Sequence, residues 1–382
     1  MKEESRYCRL CHRLLPKQPL IHYHNMPKSA QYFPDQSMVD TEIGTDIIIQ
    51  ECRFCGLLQA EGEPVPYYRD VIRATGISEK MRAFRIKQFG QWIEENQLLG
   101  KKVIEIGCGK GEYMSFMEEA GLQVIGLEHL EESVAKANSD GYRVIHGFIE
   151  GEDYRIQGAP YDGFYSMNFL EHIPKPNEFL AGIMNNLTED AVGIIEVPNV
   201  NMILEQGLYS EFIQDHLSYF TTATLRNLLE LSGFEILCCD EIWYRYIISA
   251  KVRKRKTANI REFTNQLKRR KIEIDSYLSG MEAEGKTIAA WGAGHQALAN
   301  LSLLEMQGRV RYIIDSAPFK QNRFTPATHI PVVSPKKLAE GEINAIIIMA
   351  AGYSDEIKKI IHDQYPEISI AILREDGLVI IK

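Results

Sequence analysis

The sequence predicts an α/β protein of three parts: a small N-terminal metal-binding module, a doubly wound seven-stranded sheet, and a second, smaller α/β unit. Three observations predict it. Two Cys-x-x-Cys pairs stand near the start, a strand–glycine turn–helix pattern runs from Lys102 to Met114, and a similar pattern returns from Lys286 to Ala297. The bulk properties agree. A chain of 382 residues allows two or three domains, and 45% hydrophobic with 25% charged residues is ordinary for a globular protein. Lys plus Arg number 43 against 52 for Asp plus Glu, a net of −9. A general binder of nucleic acid or anionic membrane is more often basic. No apolar run approaches the ~20 residues that span a bilayer. Met1-Lys2-Glu3-Glu4-Ser5 has no apolar signal core, so a cytoplasmic location is expected.

The N-terminal module, residues 1–80, rests on Cys8-x-x-Cys11 and Cys52-x-x-Cys55. Seven cysteines, an odd number, argue against a disulfide framework in a reducing compartment. A Cys-x-x-Cys turn places two thiolates on one tetrahedral ion, with Zn–S near ~2.3 Å. Four thiolates fill that geometry, so Zn²⁺ here is expected to be structural. Gly56 after the second pair supplies the positive φ that such a knuckle favours. His12, His22 and His24 are expected to be solvated or core histidines.

Residues 81–250 carry the main sheet. Glu79 to Gln97 reads as an amphipathic helix with Met81, Phe84, Phe89, Trp92 and Ile93 apolar. Lys102 to Ile106 is a strand, and Gly107-Cys108-Gly109-Lys110-Gly111 is a turn into a helix. A second strand, Gln123 to Leu127, closes at Glu128, and a helix follows over Glu131–Ser139. Further strands are expected at Arg143–Ile149, Tyr161–Asn168, Ala191–Val197, Glu235–Cys239 and Tyr244–Val252. Helices fall at Asn177–Leu187 and Thr222–Ser232. Seven strands with interleaved helices make the doubly wound sheet. Gly107, Gly109 and Gly111 let the backbone approach a ligand, and a carboxylate at Glu128 can accept both hydroxyl hydrogens of a ribose.

With Glu105 ahead of the glycine turn and an antiparallel strand pair at the end, this stretch resembles the class I methyltransferases. The resemblance implies S-adenosylmethionine as cofactor. The glycine turn would take its methionine end, Glu128 its ribose, and Phe148 after the third strand would flank adenine. Glu105, Cys108 and Asn168 complete the expected cofactor set.

Several substrates can be tested by absence. Amino-methylation of bases favours an Asn/Asp-Pro-Pro-aromatic run after the fourth strand, where this chain has Asn168-Phe169-Leu170-Glu171-His172. Cytosine C5 chemistry needs a pocket cysteine, and Cys238 and Cys239 lie on an expected core strand. The informative segment is Ser210 to Phe220, in the long loop after the fifth strand, where substrate contacts belong. His216 beside Asp215 offers a base near neutral pH, and His172 follows the fourth strand. Two histidines and an acid suit proton abstraction from carbon next to a carbonyl.

The order of zinc knuckles, methyltransferase core, Asp215-His216-x-x-Tyr219-Phe220 and second α/β unit resembles the NDP-sugar C-methyltransferases, of the tetronitrose-pathway C-3 type. That resemblance implies a C-methyltransferase acting on a nucleotide-linked keto-deoxysugar. His216 maps to the family's base, Asp215 to its neighbouring acid, His172 to a histidine near the enolate oxygen, and Asn168 to an adjacent asparagine. A further family tyrosine maps to Tyr67 or Tyr68, and Tyr219 is a substrate-side residue. Two family positions differ: a loop tyrosine falls on Ile213 and a histidine on Gln214. The alternatives are an O- or N-methyltransferase of a sugar or small metabolite, or an RNA-binding methyltransferase.

Lys251 to Lys271 carries ten bases and one acid, read as a basic helical linker over 251–285. Residues 286–382 form the Rossmann-like substrate domain, facing the core across a cleft. Strands are expected at Ile288–Trp291, Val310–Ile314, Ala345–Met349 and Ile368–Leu373. Gly292 and Gly294 suit a pyrophosphate, because backbone N–H groups at a helix start attract anions. Lys320 lies in a run, Phe319 to Pro331, that resembles the family's Lys-Gln-Gly-Arg/Lys-Tyr-Thr-Pro-Gly-Thr-x-Ile-Pro.

Overall fold

The computed structural model describes residues 7–28, 33–70 and 77–381; Met1–Ser5, read above for a signal, lies outside them. The chain divides into two compact units, Met1–Lys256 and Thr257–Lys382. Among the described residues no helix is long and apolar enough to cross a membrane.

The first unit opens with three antiparallel strands, β1 (Ile21–Met26), β2 (Thr45–Glu51) and β3 (Leu58–Ala60). The second knuckle is the turn between β2 and β3. Alternate residues of these strands, Ile47, Ile49, Leu58 and Ala60, point to one face. They pack there against Val200, Ile203, Phe212 and Tyr219, so the module's core is completed by the segment 200–219, which lies between two strands of the main sheet.

Next comes α1 (Glu79–Glu95), capped by Ser78, whose hydroxyl accepts the Met81 N–H. Its inner face holds Phe89, Trp92 and Ile93, and also Arg85, which is fully buried. The charge is tolerated because Glu196, equally buried, pairs with it at 2.5 Å. Gln88 and Ser249 donate to Glu196 Oε1 at 2.6 and 2.8 Å.

The main sheet follows: β4 (Val103–Ile106), α2 (Glu112–Glu119), β5 (Ile125–Glu128), α3 (Glu131–Ser139), β6 (Arg143–His146), β7 (Tyr161–Met167), α4 (Pro176–Asn185), β8 (Leu187–Pro198), α5 (Val200–Glu205), β9 (Ser218–Tyr219), α6 (Thr222–Leu231), β10 (Phe234–Ile242) and β11 (Ile247–Lys254). β9 leaves the main sheet and pairs with β3. The other strands form the expected seven-stranded sheet, in the order β10-β11-β8-β7-β4-β5-β6, with β11 antiparallel to both neighbours. This is the class I methyltransferase fold. The strand order reverses between β4 and β7, and such sheets bind ligands in the crevice beyond the carboxyl ends at that point. Gly107 ends β4 there, and Asn168 ends β7.

The second unit begins with α7 (Arg261–Ala283), which lies in the stretch read as a linker. Its Ile274, Tyr277 and Leu278 are buried in that unit's core. There follow β12 (Ile288–Trp291), α8 (His295–Leu303), β13 (Tyr312–Ile314), β14 (Arg323–Phe324), β15 (Pro331–Val333), β16 (Ala345–Ile348), α9 (Ser354–Gln364), β17 (Ser369–Leu373) and β18 (Leu378–Ile381). They build a second seven-stranded sheet, β14-β15-β13-β12-β16-β17-β18. Four strands were expected. β14 and β15 are too short to show a period, and β18 is an antiparallel edge added to β17.

Candidate active site

The four knuckle sulfurs converge. Cys8 Sγ lies 3.4 Å from Cys55 Sγ, Cys11 Sγ lies 3.5 Å from Cys52 Sγ, and all four fall within 4.8 Å of one another. A tetrahedral zinc–thiolate site needs sulfurs roughly 3.8 Å apart, so the donor set fits the ion. The residue after each pair has positive φ: +77° at Gly56, as expected, and +56° at His12. Burial pushes the Cys8 thiol up, and Cys55 up to about 11, so these two sulfurs keep their protons until a metal displaces them. Of the spare histidines, His22 and His24 contact Asp46 on the surface at 2.7 and 3.1 Å.

At the main crevice, Gly107, Gly109 and Gly111 all have positive φ. A Cβ on Gly107 would stand 2.9 Å from the Phe169 ring, so a side chain is excluded. Glu128 is buried at the end of β5. Its Oε2 accepts the Gly109 N–H at 2.9 Å and its Oε1 the Leu130 N–H at 2.8 Å, which ties the second strand to the turn after the first. Burial raises the Glu128 pKa. Glu105 accepts a hydrogen bond from Tyr165 Oη at 3.0 Å inside the sheet. Cys108 enters the turn through its backbone, while its buried thiol sits where a Cβ on Gly126 would go. Asn168 has φ +53° and donates its N–H to Glu196 O at 2.9 Å. A small recess beside the turn is lined by Gly107, His129, Phe148, Phe169, Phe179 and Arg69. The Arg69 guanidinium lies 5.2 Å from the Phe148 ring centre and 5.4 Å from that of Tyr68.

The loop after β8 brings the remaining residues to the same edge. His172 Nδ1 donates to the Asp215 carbonyl at 2.9 Å, and its ring centre lies 4.8 Å from that of His216. Tyr67 Oη donates to Asp215 Oδ1 at 2.8 Å. The two tyrosines left open by the sequence thus diverge: Tyr67 reaches the histidine loop, and the Tyr68 ring lies 5.9 Å from that of Phe148. Tyr219 is buried, and its hydroxyl both donates to Ile213 O and accepts from Ile213 N, each at 3.1 Å. It pins the loop at Ile213. Burial and the neighbouring His172 lower the His216 pKa to about 3, although part of the ring meets solvent. Glu171 went unassigned from the sequence. It is buried beside both histidines, and burial raises its carboxyl to about 8. An acid next to a histidine on a short turn carries no signal of which way it points.

In the second unit Asp315 repeats the Glu128 arrangement. It accepts the Ala293 N–H at 2.8 Å and the Ala317 N–H at 2.9 Å, and Lys320 Nζ donates to it at 3.0 Å. Gly292 has φ +113°, and a Cβ there would meet Met349 O at 2.8 Å; Gly294 precedes α8 over open space. Next to this turn lies an open cleft lined by Arg270, Gln296, Asn300, Ser354, Arg374 and Phe263. Of the ten bases in 251–271, Lys251, Arg253, Lys254, Lys256, Arg269, Arg270 and Lys271 are in ion pairs. Their charge is largely neutralised locally, which is the solvated-surface outcome.

Comparison with known proteins adds to this geometry. A family described as "C-methyltransferase C-terminal domain" matches residues 249–367, and one described as "Methyltransferase domain" matches residues 78–238. The chain is 24% identical over 373 residues to C-methyltransferase NovU of Streptomyces niveus, covering 88% of each. It is 29% identical over 167 residues to the ubiquinone biosynthesis O-methyltransferase of Burkholderia thailandensis, covering 37% of this chain and 72% of that protein. With the same-named enzyme of Bordetella parapertussis it is 36% identical over 98 residues, covering 22% and 38%.

Proposed function

We propose that this chain, an S-adenosylmethionine-dependent C-methyltransferase related to NovU, methylates a carbon of a nucleotide-linked keto-deoxysugar in the cytoplasm. The observation that carries the reading is the cluster of His216, His172, Asp215 and Tyr67 at the edge of the crevice where Gly107 and Glu128 stand. In this reading His216 is the base. Its neutral imidazole takes the proton from the carbon beside the keto group; the C–H electron pair forms the enolate C=C bond as the C=O π pair moves onto the oxygen. His172 faces that oxygen, and Asp215, held by Tyr67, orients the loop. Gly107, Cys108, Gly109, Gly111, Glu105, Glu128, Phe148 and Asn168 would hold the cofactor, which supplies an electrophilic methyl group when bound. Holding base and carbon acid together contributes most of the rate, and base catalysis about 10²–10⁴-fold.

Zn²⁺ on Cys8, Cys11, Cys52 and Cys55 would be structural, since four thiolates leave no open position. In the second unit, Gly292, Gly294 and Lys320, with Arg270 and Arg374 lining the adjacent cleft, would hold the nucleotide diphosphate.

The test uses a TDP-linked 4-keto-6-deoxyhexose in D₂O. Wild type is expected to exchange the hydrogen on the carbon beside the ketone, and His216→Ala to lose that exchange. Retained exchange in His216→Ala removes the base role. NMR of the product separates methylation at carbon from methylation at oxygen.

A further inference from the structure

Glu171 is only 2% exposed, and among the described residues its Oε2 has no hydrogen-bond partner. A buried carboxylate oxygen left in that state is costly. Its Oε1 lies 4.0 Å from His172 Nε2, and the nearest acceptor atoms of Glu171, His172 and His216 all fall within 4.8 Å of one another. One water suffices to span that distance. The tautomer of His172 is fixed by its other side. Nδ1 must carry the hydrogen it donates to the Asp215 carbonyl, since a carbonyl only accepts. A neutral His172 therefore presents only a lone pair at Nε2, and it donates to the enolate oxygen only while a proton sits on Nε2. A proton held on Nε2 or on the Glu171 carboxyl, passed directly or through one water, links the two groups across that 4.0 Å.

We infer that Glu171 is a positioning residue which holds one proton in common with His172 and His216, and thereby sets how strong a base His216 is. The inference rests on the reading of His216 as the base. With the proton on Glu171 the cluster is neutral, and an imidazolium at His216 gains no support. When Glu171 ionises, a carboxylate stands within 4.8 Å of His216 and stabilises the imidazolium formed as the carbon proton is taken. Glu171 transfers nothing to the substrate. The other titratable groups facing the cluster are Asp215 and the Tyr67 bonded to it, Tyr219, whose ring lies 5.9 Å from that of His216, and Tyr246, bonded to Glu211 at 2.7 Å. Burial pushes Tyr219 and Tyr246 well above the ordinary phenol range, so they stay neutral while Glu171 titrates. The carboxyl's own value, about 8, places the change on the alkaline side of neutrality.

The test is histidine-labelled NMR of the full zinc-loaded chain with S-adenosylhomocysteine. The Hε1 resonance of His216 is expected to inflect between about pH 7 and 9 in wild type, to lose that inflection in Glu171→Gln, and to keep it in Glu171→Asp. Exchange into the TDP-linked 4-keto-6-deoxyhexose should rise about tenfold or more over the same range in wild type. Glu171→Gln should match wild type near pH 6 and stay flat above it. A wild-type resonance without the inflection, or an inflection that persists in Glu171→Gln, overturns the inference. So does a Glu171→Gln rate lowered equally at every pH, which would mark a merely structural role. The two readings fail separately. Exchange that survives His216→Ala defeats the base assignment, whereas a Glu171→Gln profile superimposed on wild type defeats only the role of Glu171.

Discussion

His216 stays neutral well below the pH at which a solvated imidazole charges, because burial beside His172 disfavours the cation. In the folded chain it binds fewer protons than in the unfolded chain between about 3 and the ordinary value of 6.5. Stability therefore falls as pH drops through that window, by up to ~1.4 kcal/mol per pH unit from this group. A His216→Asn variant should lose less stability than wild type between about pH 6 and 4, measured by urea unfolding at each pH. Equal slopes in the two proteins would show that His216 is not held neutral. Tyr67 makes a second test at this scale. Tyr67→Phe keeps the ring but removes a hydrogen bond to a buried carboxylate, an interaction worth roughly 1.5–3 kcal/mol. The expected result is a ten- to hundredfold drop in kcat/KM with the cofactor's Kd unchanged; a weakened Kd instead would place Tyr67 on the cofactor side. Such contacts show where sequence reading stops. Glu128 could be assigned from its spacing to the glycine turn, since strand and turn are neighbours in the chain. Tyr67 and Asp215 are 148 positions apart, and no local pattern brings them together.

Among the elements, the turn after β4 is the least tolerant. Gly107→Ala would force a side chain to φ +75° and against the Phe169 ring. A cost of about 1–3 kcal/mol is expected, seen as at least tenfold weaker S-adenosylhomocysteine binding by calorimetry. Unchanged affinity would mean that the turn does not meet the cofactor. The contact of α1 with β8 and β11 was hidden for a different reason. At the sequence level Arg85 reads as a surface charge of an amphipathic helix, yet it is buried against Glu196. Arg85→Met alone leaves Glu196 buried and unpaired, at about 3–5 kcal/mol, while Arg85→Met with Glu196→Leu should recover most of the loss. Denaturant midpoints check this, and an additive double variant would contradict it. The strand–helix alternation of the main sheet was legible because each strand is apolar and bounded by turn residues. The edge strands β14 and β15 were not, because two or three residues cannot display a period.

For the whole molecule, two compact units predict two unfolding transitions. S-adenosylhomocysteine at about a hundred times its Kd should stabilise the first unit by ~2.7 kcal/mol and leave the second unmoved. Chelation, or Cys52→Ser with loss of roughly one zinc per chain, should lower the first transition only. Scanning calorimetry with metal analysis reads both, and a shift of the second transition on chelation would refute the assignment of the metal to the first unit. The two units also share one device, a carboxylate that ties a glycine turn, and lone-pair accounting separates its two copies. A carboxylate offers about four acceptor positions. Glu128 gives two of them to the Gly109 and Leu130 amides, which leaves two, the number a vicinal diol requires. Asp315 gives three, to Ala293, Ala317 and the Lys320 ammonium, which leaves one. The second turn looks like a dinucleotide fingerprint in sequence, but its acid is saturated by its own chain. A nicotinamide cofactor that must be gripped by both ribose hydroxyls would find no bidentate acceptor there, so under the proposed function selectivity at that turn would rest on groups that recognise phosphate.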